Sequence, residues 1–376
     1  MWNLAFFAIL VCTLAVNVKE DVATADVKVN RPKLNETLCM FLIYVSFIMF
    51  AGLRTRYNDT ANYMSFFRYA RANFVWSLDE IIHTPYWGFE TLQTAIKKVF
   101  GDNAQWLIMI SSIITNVSFL RFYRKYSKNM AMTLLCFIII QPFMLTCAAL
   151  KQSVAIAISL WGIDGLINGN KPLFFISLAV AYTFHPYIIV LAVSPLILDE
   201  EVWSERMGTI VFISFILSLL MSQILGFFIN LTEGMSRTYT AKELLDHTMN
   251  PLRVIVDGVP VLLSFILKDT INEKKNRVMN FGINLMTIFF MFSFASLFGN
   301  PIYIYRMGNY FGFMIAMVIP WMLFECVPND KWKPLIILVF FVAYIGVFLL
   351  DSCGFDLSYD PFRHTSIATL FEGWLK

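Results

Sequence analysis

Residues 51–63 read AGLRTRYNDTANY. A hydrophobic run over 38–53 stops inside this stretch, and Arg54, Arg56, Asn58, Asp59 and Thr60 follow at once. An apolar segment that ends on two arginines a residue apart reads as a helix leaving hydrocarbon. Arginine at such a mouth either snorkels as an interfacial anchor or holds an anion. The residues alone leave both readings open; the side of the membrane on which they fall changes the balance.

Outward from this stretch, further apolar runs occupy 2–18, 104–120, 130–147, 153–167, 173–198, 207–230, 252–267, 278–298, 307–324 and 334–350. At about 1.5 Å per residue most of them reach roughly 25–30 Å, enough to cross a bilayer with a flanking turn. The 376 residues are 58% hydrophobic and only 15% charged, against about 25% charged in a soluble domain. The short alternation of a membrane barrel is absent. The expected fold class is therefore all-α: a polytopic integral membrane protein with about 11–12 transmembrane helices. It is expected as a single transmembrane domain over 1–376, with 55–103 as an outer loop segment. Within that segment 91–100 reads as an amphipathic helix lying at the interface. The first run lacks a basic n-region and is read as a retained span, not a signal peptide.

Several classes are excluded. No basic domain or nucleic-acid motif occurs, so no nucleic acid is expected as a partner. The six cysteines fall mostly in or beside apolar runs without a CxxC pair, and they read as small core hydrophobes. His83, His247 and His364 have no metal spacing. With no HExxH, Walker or GxGxxG motif, neither a cofactor nor a dedicated metal site is expected.

Lysine and arginine in short loops set the orientation. The loops are 19–33, the segment with Arg121, Arg124, Lys125 and Lys128, the loop 268–277, and Lys331 with Lys333. Placing all four in the cytoplasm requires the run 173–198 to cross as two half-helices. His185-Pro186 stands at its middle, where proline breaks a helix. A hairpin of 173–184 and 186–198 restores the parity. Arg54, Arg56, Lys151, Arg306, the loop 232–250 and the tail from Asp351 then open outward. Cations gathered at an outward mouth suit phosphate or pyrophosphate, whose oxygens match the guanidinium fork.

Four short motifs stand in order on this hydropathy frame. They are Gly52-Leu53-Arg54 followed by Asn58-Asp59-Thr60 and Tyr63; Leu150-Lys151-Gln152-Ser153-Val154-Ala155; Phe184-His185-Pro186; and Arg306 with Tyr310 and Phe311. Together they resemble the EpsG-type exopolysaccharide proteins, relatives of the Wzy-type polymerases of O-antigen and capsule. Three positions depart from the family pattern. Lys151 stands where arginine is usual, Tyr187 where a small residue is usual, and Asn58 where glycine is usual.

The resemblance implies a glycosyltransferase of the bacterial inner (cytoplasmic) membrane with its active site facing outward. Its substrate would be oligosaccharide repeat units on undecaprenyl pyrophosphate, in a membrane-lipid setting. A chain-length regulator and a flippase of the same pathway are the implied partners. Such chemistry needs cations for the leaving pyrophosphate, a base for the acceptor hydroxyl and groups that hold both sugars in line. Arg54, Arg56, Lys151, Gln152 and Arg306 are the candidates for the pyrophosphate and sugars, with Tyr63 and Tyr310 beside them. His185 is the candidate base and Asp59 the alternative.

Each has a plainer reading. Arg54, Arg56 and Arg306 could anchor to lipid headgroups, and Asp59 could pair with Arg54 or Arg56. Lys151 could be a turn charge, with Gln141 across the turn, and His185 a hydrogen-bonded structural group. Trp76, Tyr86 and Trp87 could stack on sugars or form an interfacial belt. The competing function is a flippase or transporter of lipid-linked oligosaccharides. That class usually shows two related halves and cations along a central path. No half-to-half similarity is visible here, and the cations gather on one side.

Overall fold

The structure is a computed structural model that describes residues 1–18, 34–70, 77, 84, 86–140, 142–221, 223 and 248–372. Residues 19–33, Arg71, Trp76, His83, Gln141, Arg237, His247 and most of the loop 232–250 lie outside the described residues. Among the described residues the protein is mostly helical with almost no strand, which is the all-α membrane class read from composition.

In chain order, the first half contains α1 (Trp2–Ala15), α2 (Leu34–Gly52), β1 (Arg54–Arg56), α3 (Thr60–Tyr69), α4 (Trp87–Phe100) and α5 (Gln105–Tyr126). It continues with α6 (Met130–Ile139), α7 (Pro142–Ala148), α8 (Leu150–Ile167) and α9 (Lys171–Phe184), then a 3₁₀ helix over Pro186–Val193 and α10 (Ser194–Ile197). The second half contains α11 (Glu205–Leu219), α12 (Pro251–Ile266), α13 (Lys268–Glu273), α14 (Arg277–Ala295), α15 (Ile304–Gly308), α16 (Ile315–Trp321), α17 (Lys333–Cys353) and β2 (Arg363–His364). Among the described residues α2, α5, α8, α14 and α17 are each long and apolar enough to cross a membrane. The pair α6 and α7, bent by 51°, makes a sixth if counted as one broken span. Shorter apolar helices, α1 and α9 among them, fall on the remaining runs.

Asparagine starts several of these helices. Asn129, Asn170, Asn250 and Asn276 each accept a backbone N–H two or three residues on, at 3.0–3.2 Å, satisfying a donor the helix cannot. The break inside 173–198 falls at His185-Pro186. His185 caps α9 with φ −154° and ψ 105°, the extended backbone imposed on a residue before proline. All six cysteines are free.

The chain forms two compact units. The first is 1–189 with 330–376, and the second is 190–329. In the first unit α2 and α5 run antiparallel: Ser112 donates to the Ile48 carbonyl at 2.9 Å and Gln105 to the Gly52 carbonyl at 2.6 Å. α5 and α8 run parallel, with Trp161 donating to Ser118 at 3.0 Å. α8 turns back into α9 along a face of small residues. A Cβ on Gly162 would lie 2.7 Å from Ser177 Cβ and 3.1 Å from the backbone of Phe174. Such close backbone approach is how helices associate without a hydrophobic drive between them.

These directions sort the first unit into two ends. The C-terminal ends of α2 and α9 and the N-terminal ends of α5 and α8 meet at one. The basic C-terminal end of α5 and the start of α9 lie at the other. There Asp164 accepts from Arg121 at 2.6 Å and from Lys125 and Tyr126 at 2.5 Å each, while the Arg121 guanidinium lies 3.9 Å from the Trp161 ring.

The contact at Gly162 admits a direct test. Gly162→Val places two methyl groups against Phe174 and Ser177, and overpacking of this kind costs roughly 1–3 kcal/mol. The purified variant in detergent is expected to melt below the wild type. An unchanged melting temperature would show that α8 and α9 do not pack this closely.

Candidate functional site

The stretch that ends the first long span is pinned on all sides. α2 stops at Gly52, where a Cβ would lie 2.6 Å from Met109 Sδ of α5. Beyond it β1 pairs antiparallel with β2, Arg54 opposite His364 and Arg56 opposite Arg363. Three further bonds hold the same junction. Thr365 N–H donates to the Leu53 carbonyl at 2.9 Å, Thr55 Oγ1 donates to the Arg363 carbonyl at 3.2 Å, and His364 Nε2 lies 2.9 Å from the Phe50 carbonyl. A turn then leads into α3. Asn58 sits at φ +44°, in the left-handed region that glycine enters freely and asparagine tolerates best among side-chain-bearing residues. The departure from the family's glycine therefore preserves the backbone.

Arg54 points inward from this junction and is 1% exposed. Its Nε donates to Thr60 Oγ1 at 3.1 Å and its Nη1 to the Ala51 carbonyl. Thr60 in turn donates to the Tyr57 carbonyl at 2.6 Å. Gln105 supports the backbone from below, its Nε2 donating to the Gly52 and Arg54 carbonyls at 2.6 and 3.2 Å. No carboxylate pairs with Arg54 among the described residues. Burial lowers its pKa from the ordinary arginine value, though arginine stays charged at any physiological pH. An unpaired buried guanidinium costs several kcal/mol. A snorkelling arginine would expose its head, so the headgroup-anchor reading does not describe Arg54.

Arg56 is exposed and Asp59 half-buried. Asp59 precedes α3 and makes no capping hydrogen bond. Among the described residues it forms no ion pair with Arg54 or Arg56, so the pairing alternative for Asp59 is not what the structure contains.

Lys151 and His185 converge on one ring. Lys151 lies in the first turn of α8, half-buried, its Nζ 4.2 Å from the Tyr86 ring centre and 5.5 Å from that of Phe89. The His185 ring lies 5.5 Å from the same Tyr86 ring and 5.5 Å from Tyr187. Tyr86 is held there because the start of α4 sits hard against the end of α9. A Cβ on Gly88 would lie 2.1 Å from Thr183 Oγ1, two residues before His185. Gln152 is buried beside Lys151. Beneath these groups a core cluster of Phe67, Phe89, Ile96, Leu107, Ile108 and Leu150 also carries Tyr63, Tyr86 and Phe184 against it. Tyr63 meets Phe89 edge-on at 6.0 Å. Three of the four motifs thus share one hydrophobic foundation.

The fourth motif belongs to the second unit. Arg306 is exposed on α15. Tyr310 is wholly buried behind the segment that carries Arg306. Close by in sequence is a polar network that sequence reasoning missed. Arg253 pairs with Asp257 at 3.4 Å and donates to the Tyr305 hydroxyl at 3.2 Å, while Ser293 donates to Asp257 at 2.7 Å. Its signal was legible: an arginine and an aspartate four apart in an otherwise apolar helix. Gln105 was also missed, and it carries no sequence signal that separates it from core; Tyr86, read as a sugar-stacking or belt residue, is the ring on which Lys151 and His185 converge.

Residues 37–362 match the EpsG family. No curated protein and no solved structure matches the chain. All four motifs fall inside the matched span, which covers most of the sequence. With its apolar helices and this match, the chain belongs to the EpsG family of exopolysaccharide-biosynthesis membrane proteins.

Proposed function

We propose that this protein is a membrane glycosyltransferase that polymerises oligosaccharide repeat units carried on undecaprenyl pyrophosphate, at the outer face of the bacterial inner membrane. The observation that carries the reading is Arg54: a fully buried guanidinium with no carboxylate partner among the described residues, at the end of the first unit that also holds Lys151 and His185. An apolar protein retains so costly a charge where an anionic ligand offsets it. The opposite end carries Arg121, Lys125 and the Asp164 cluster, which suits the cytoplasmic side by the positive-inside rule.

The reaction joins an acceptor hydroxyl to the anomeric carbon of the donor sugar as the lipid pyrophosphate departs. Arg54 stabilises the negative charge that grows on the leaving group, with Lys151 adding a point charge and Arg56 a second guanidinium. The lysine at 151 keeps the charge of the family's arginine without its fork. Arg306, in the second unit, is proposed as an anion-binding residue in its own right. His185 takes the acceptor proton; its ring, tilted 45° to that of Tyr86 at the end of α9, is kept half-buried. Asp59, half-exposed and unpaired, is the second choice of base. Tyr63 and Gln152 help to hold the sugars. Membrane lipids surround the protein, and a flippase and chain-length regulator of the same pathway are its proposed partners.

Lipid-linked intermediates in a deletion strain test the assignment. Loss of a polymerase leaves single repeat units exposed outside the membrane. Their accumulation on the inner side would identify a flippase and reject the enzyme.

The arginine is tested by Arg54→Lys, which keeps the charge and loses the planar fork. Truncating such a charge-assisted contact costs roughly 2–5 kcal/mol, so polymer yield should collapse at normal expression. A yield near wild type would reject Arg54 as the pyrophosphate clamp.

For the base, His185→Gln keeps a hydrogen-bonding side chain that accepts no proton near neutral pH. Turnover should fall by roughly 10²–10⁴-fold while lipid-linked donor affinity, measured on the same purified protein, stays close to wild type. An active His185→Gln protein would move the base to Asp59.

A further inference from the structure

Beside the Arg54 junction lies a cavity of about 470 Å³ that none of the motifs accounts for. Its walls come from three places: Thr55 and Arg68 from the segment that follows α2, Asp102, Asn103 and Gln105 from the start of α5, and Glu372 from the C-terminal segment. We infer that this cavity is a saccharide subsite, one that grips neutral sugar units of the substrate apart from its pyrophosphate. The inference rests on the polymerase reading and adds a place for the glycan to it.

The first support is an unsatisfied group. Gln105 is 1% exposed. Its Nε2 is committed to the Gly52 and Arg54 carbonyls, which fixes which way the amide faces. Its Oε1 has no hydrogen-bond partner among the described residues. A buried acceptor left unmade costs about 1–3 kcal/mol, and Gln105 stands in the cavity wall. The amide is also bonded to the backbone of Arg54, so a sugar held at Gln105 would be registered against the cation.

The second support is the chemistry of the walls. Amide, hydroxyl and carboxylate groups offer both donors and acceptors, the set that hydroxyl-rich ligands use. Charge is mixed: Arg68, Asp102 and Glu372 all line the cavity, and Asp102 pairs with Lys97 at 3.0 Å. Such a lining suits a neutral ligand and repels pyrophosphate, which divides the labour between this cavity and Arg54.

The third support is rigidity. Asn103 Nδ2 donates to the Thr369 and Leu370 carbonyls at 2.8 and 3.3 Å, and Trp106 Nε1 donates to the Leu370 carbonyl at 2.8 Å. Trp106 is itself stacked on Phe100 at 4.1 Å. The C-terminal segment is therefore clasped onto the start of α5, and the cavity between them is preformed. Preformed sites avoid the ordering cost of binding.

The test is calorimetric titration of the full chain, purified in lipid nanodiscs, with oligosaccharides obtained by partial hydrolysis of the exopolysaccharide that the producing strain secretes. Ala61 is exposed and lines the cavity, so Ala61→Trp fills it without removing a hydrogen bond. Gln105→Met keeps the volume and removes the amide. Wild type should bind, and both variants should weaken binding by about tenfold or more; the Ala61→Trp melt should stay near wild type, while Gln105→Met, which also unpairs the Gly52 and Arg54 carbonyls, should melt lower. If Gln105→Met fails to fold, Ala61→Trp alone decides. Unaltered binding by folded Ala61→Trp overturns the subsite, as does a wild type that binds no oligosaccharide. Displacement of bound oligosaccharide by excess inorganic pyrophosphate also overturns it, because the two ligands would then share one site. Polymer formation by a wild type whose Ala61→Trp variant binds normally overturns the subsite and leaves the polymerase standing. Binding that Ala61→Trp abolishes, in a wild type that forms no polymer, supports the subsite and removes the polymerase.

Discussion

The charge on Arg54 is the constraint to which the first unit is built. A guanidinium removed from water without a carboxylate must be offset by whatever dipoles the fold can aim at it. Here these are a helix-end carbonyl at Ala51 and the hydroxyl of Thr60, itself fixed by the Tyr57 carbonyl. Both are neutral acceptors. They hold the side chain in place and leave its charge intact. An acidic partner would have been a better stabiliser and a worse receptor, because it would have cancelled the field an anion responds to. The tight end of α2 against Met109, the left-handed turn at Asn58 and the strand pair with residues 363–364 all serve to keep this one group oriented.

The two ends of the unit show opposite treatments of the same residue types. Arg121 and Lys125 share the carboxylate of Asp164, with Tyr126 as a third donor. That cluster neutralises much of its own charge and ties α5 to α8. Lys151, at the other end, lies over the aromatic faces of Tyr86 and Phe89, with Glu90 acting on its charge. Cation–π contact attracts an ammonium without cancelling its charge. One end consumes its cations for stability; the other keeps them available.

The legible part of the fold follows from hydropathy alone. Among the described residues most apolar runs became a helix or a broken pair, while 307–324 is cut into short α, 3₁₀ and π pieces, and the break at His185-Pro186 appeared where proline chemistry requires it. The amphipathic segment 91–100 belongs to α4, which begins four residues earlier at Trp87. What hydropathy could not supply was convergence. Lys151 and His185 meet at Tyr86 because Gly88 lets α4 press against Thr183, and nothing in one sequence marks that glycine as a point of contact. The strand β2 was read as part of a tail, since a pair of residues is too short for any periodic signal. Gln105 looks like an ordinary helix-start residue until its two carbonyl partners are known. Tyr310, named for its place in a motif, lies wholly buried, and a short motif does not separate a residue that touches ligand from one that supports it.

The pairing of β1 with β2 also bears on how the molecule is made. Thr55 and the Arg363 carbonyl it bonds are 308 residues apart, and α17 lies between the motif and its partner strand. During synthesis, the junction around Arg54 is threaded into the membrane long before its other half exists. At about 5–20 residues per second, the interval is tens of seconds, in which an arginine-bearing strand has an open edge. The contact that completes the site is thus among the most non-local the chain makes, and such contacts form late. An unfinished or truncated chain would carry the motif without the closure that orients it.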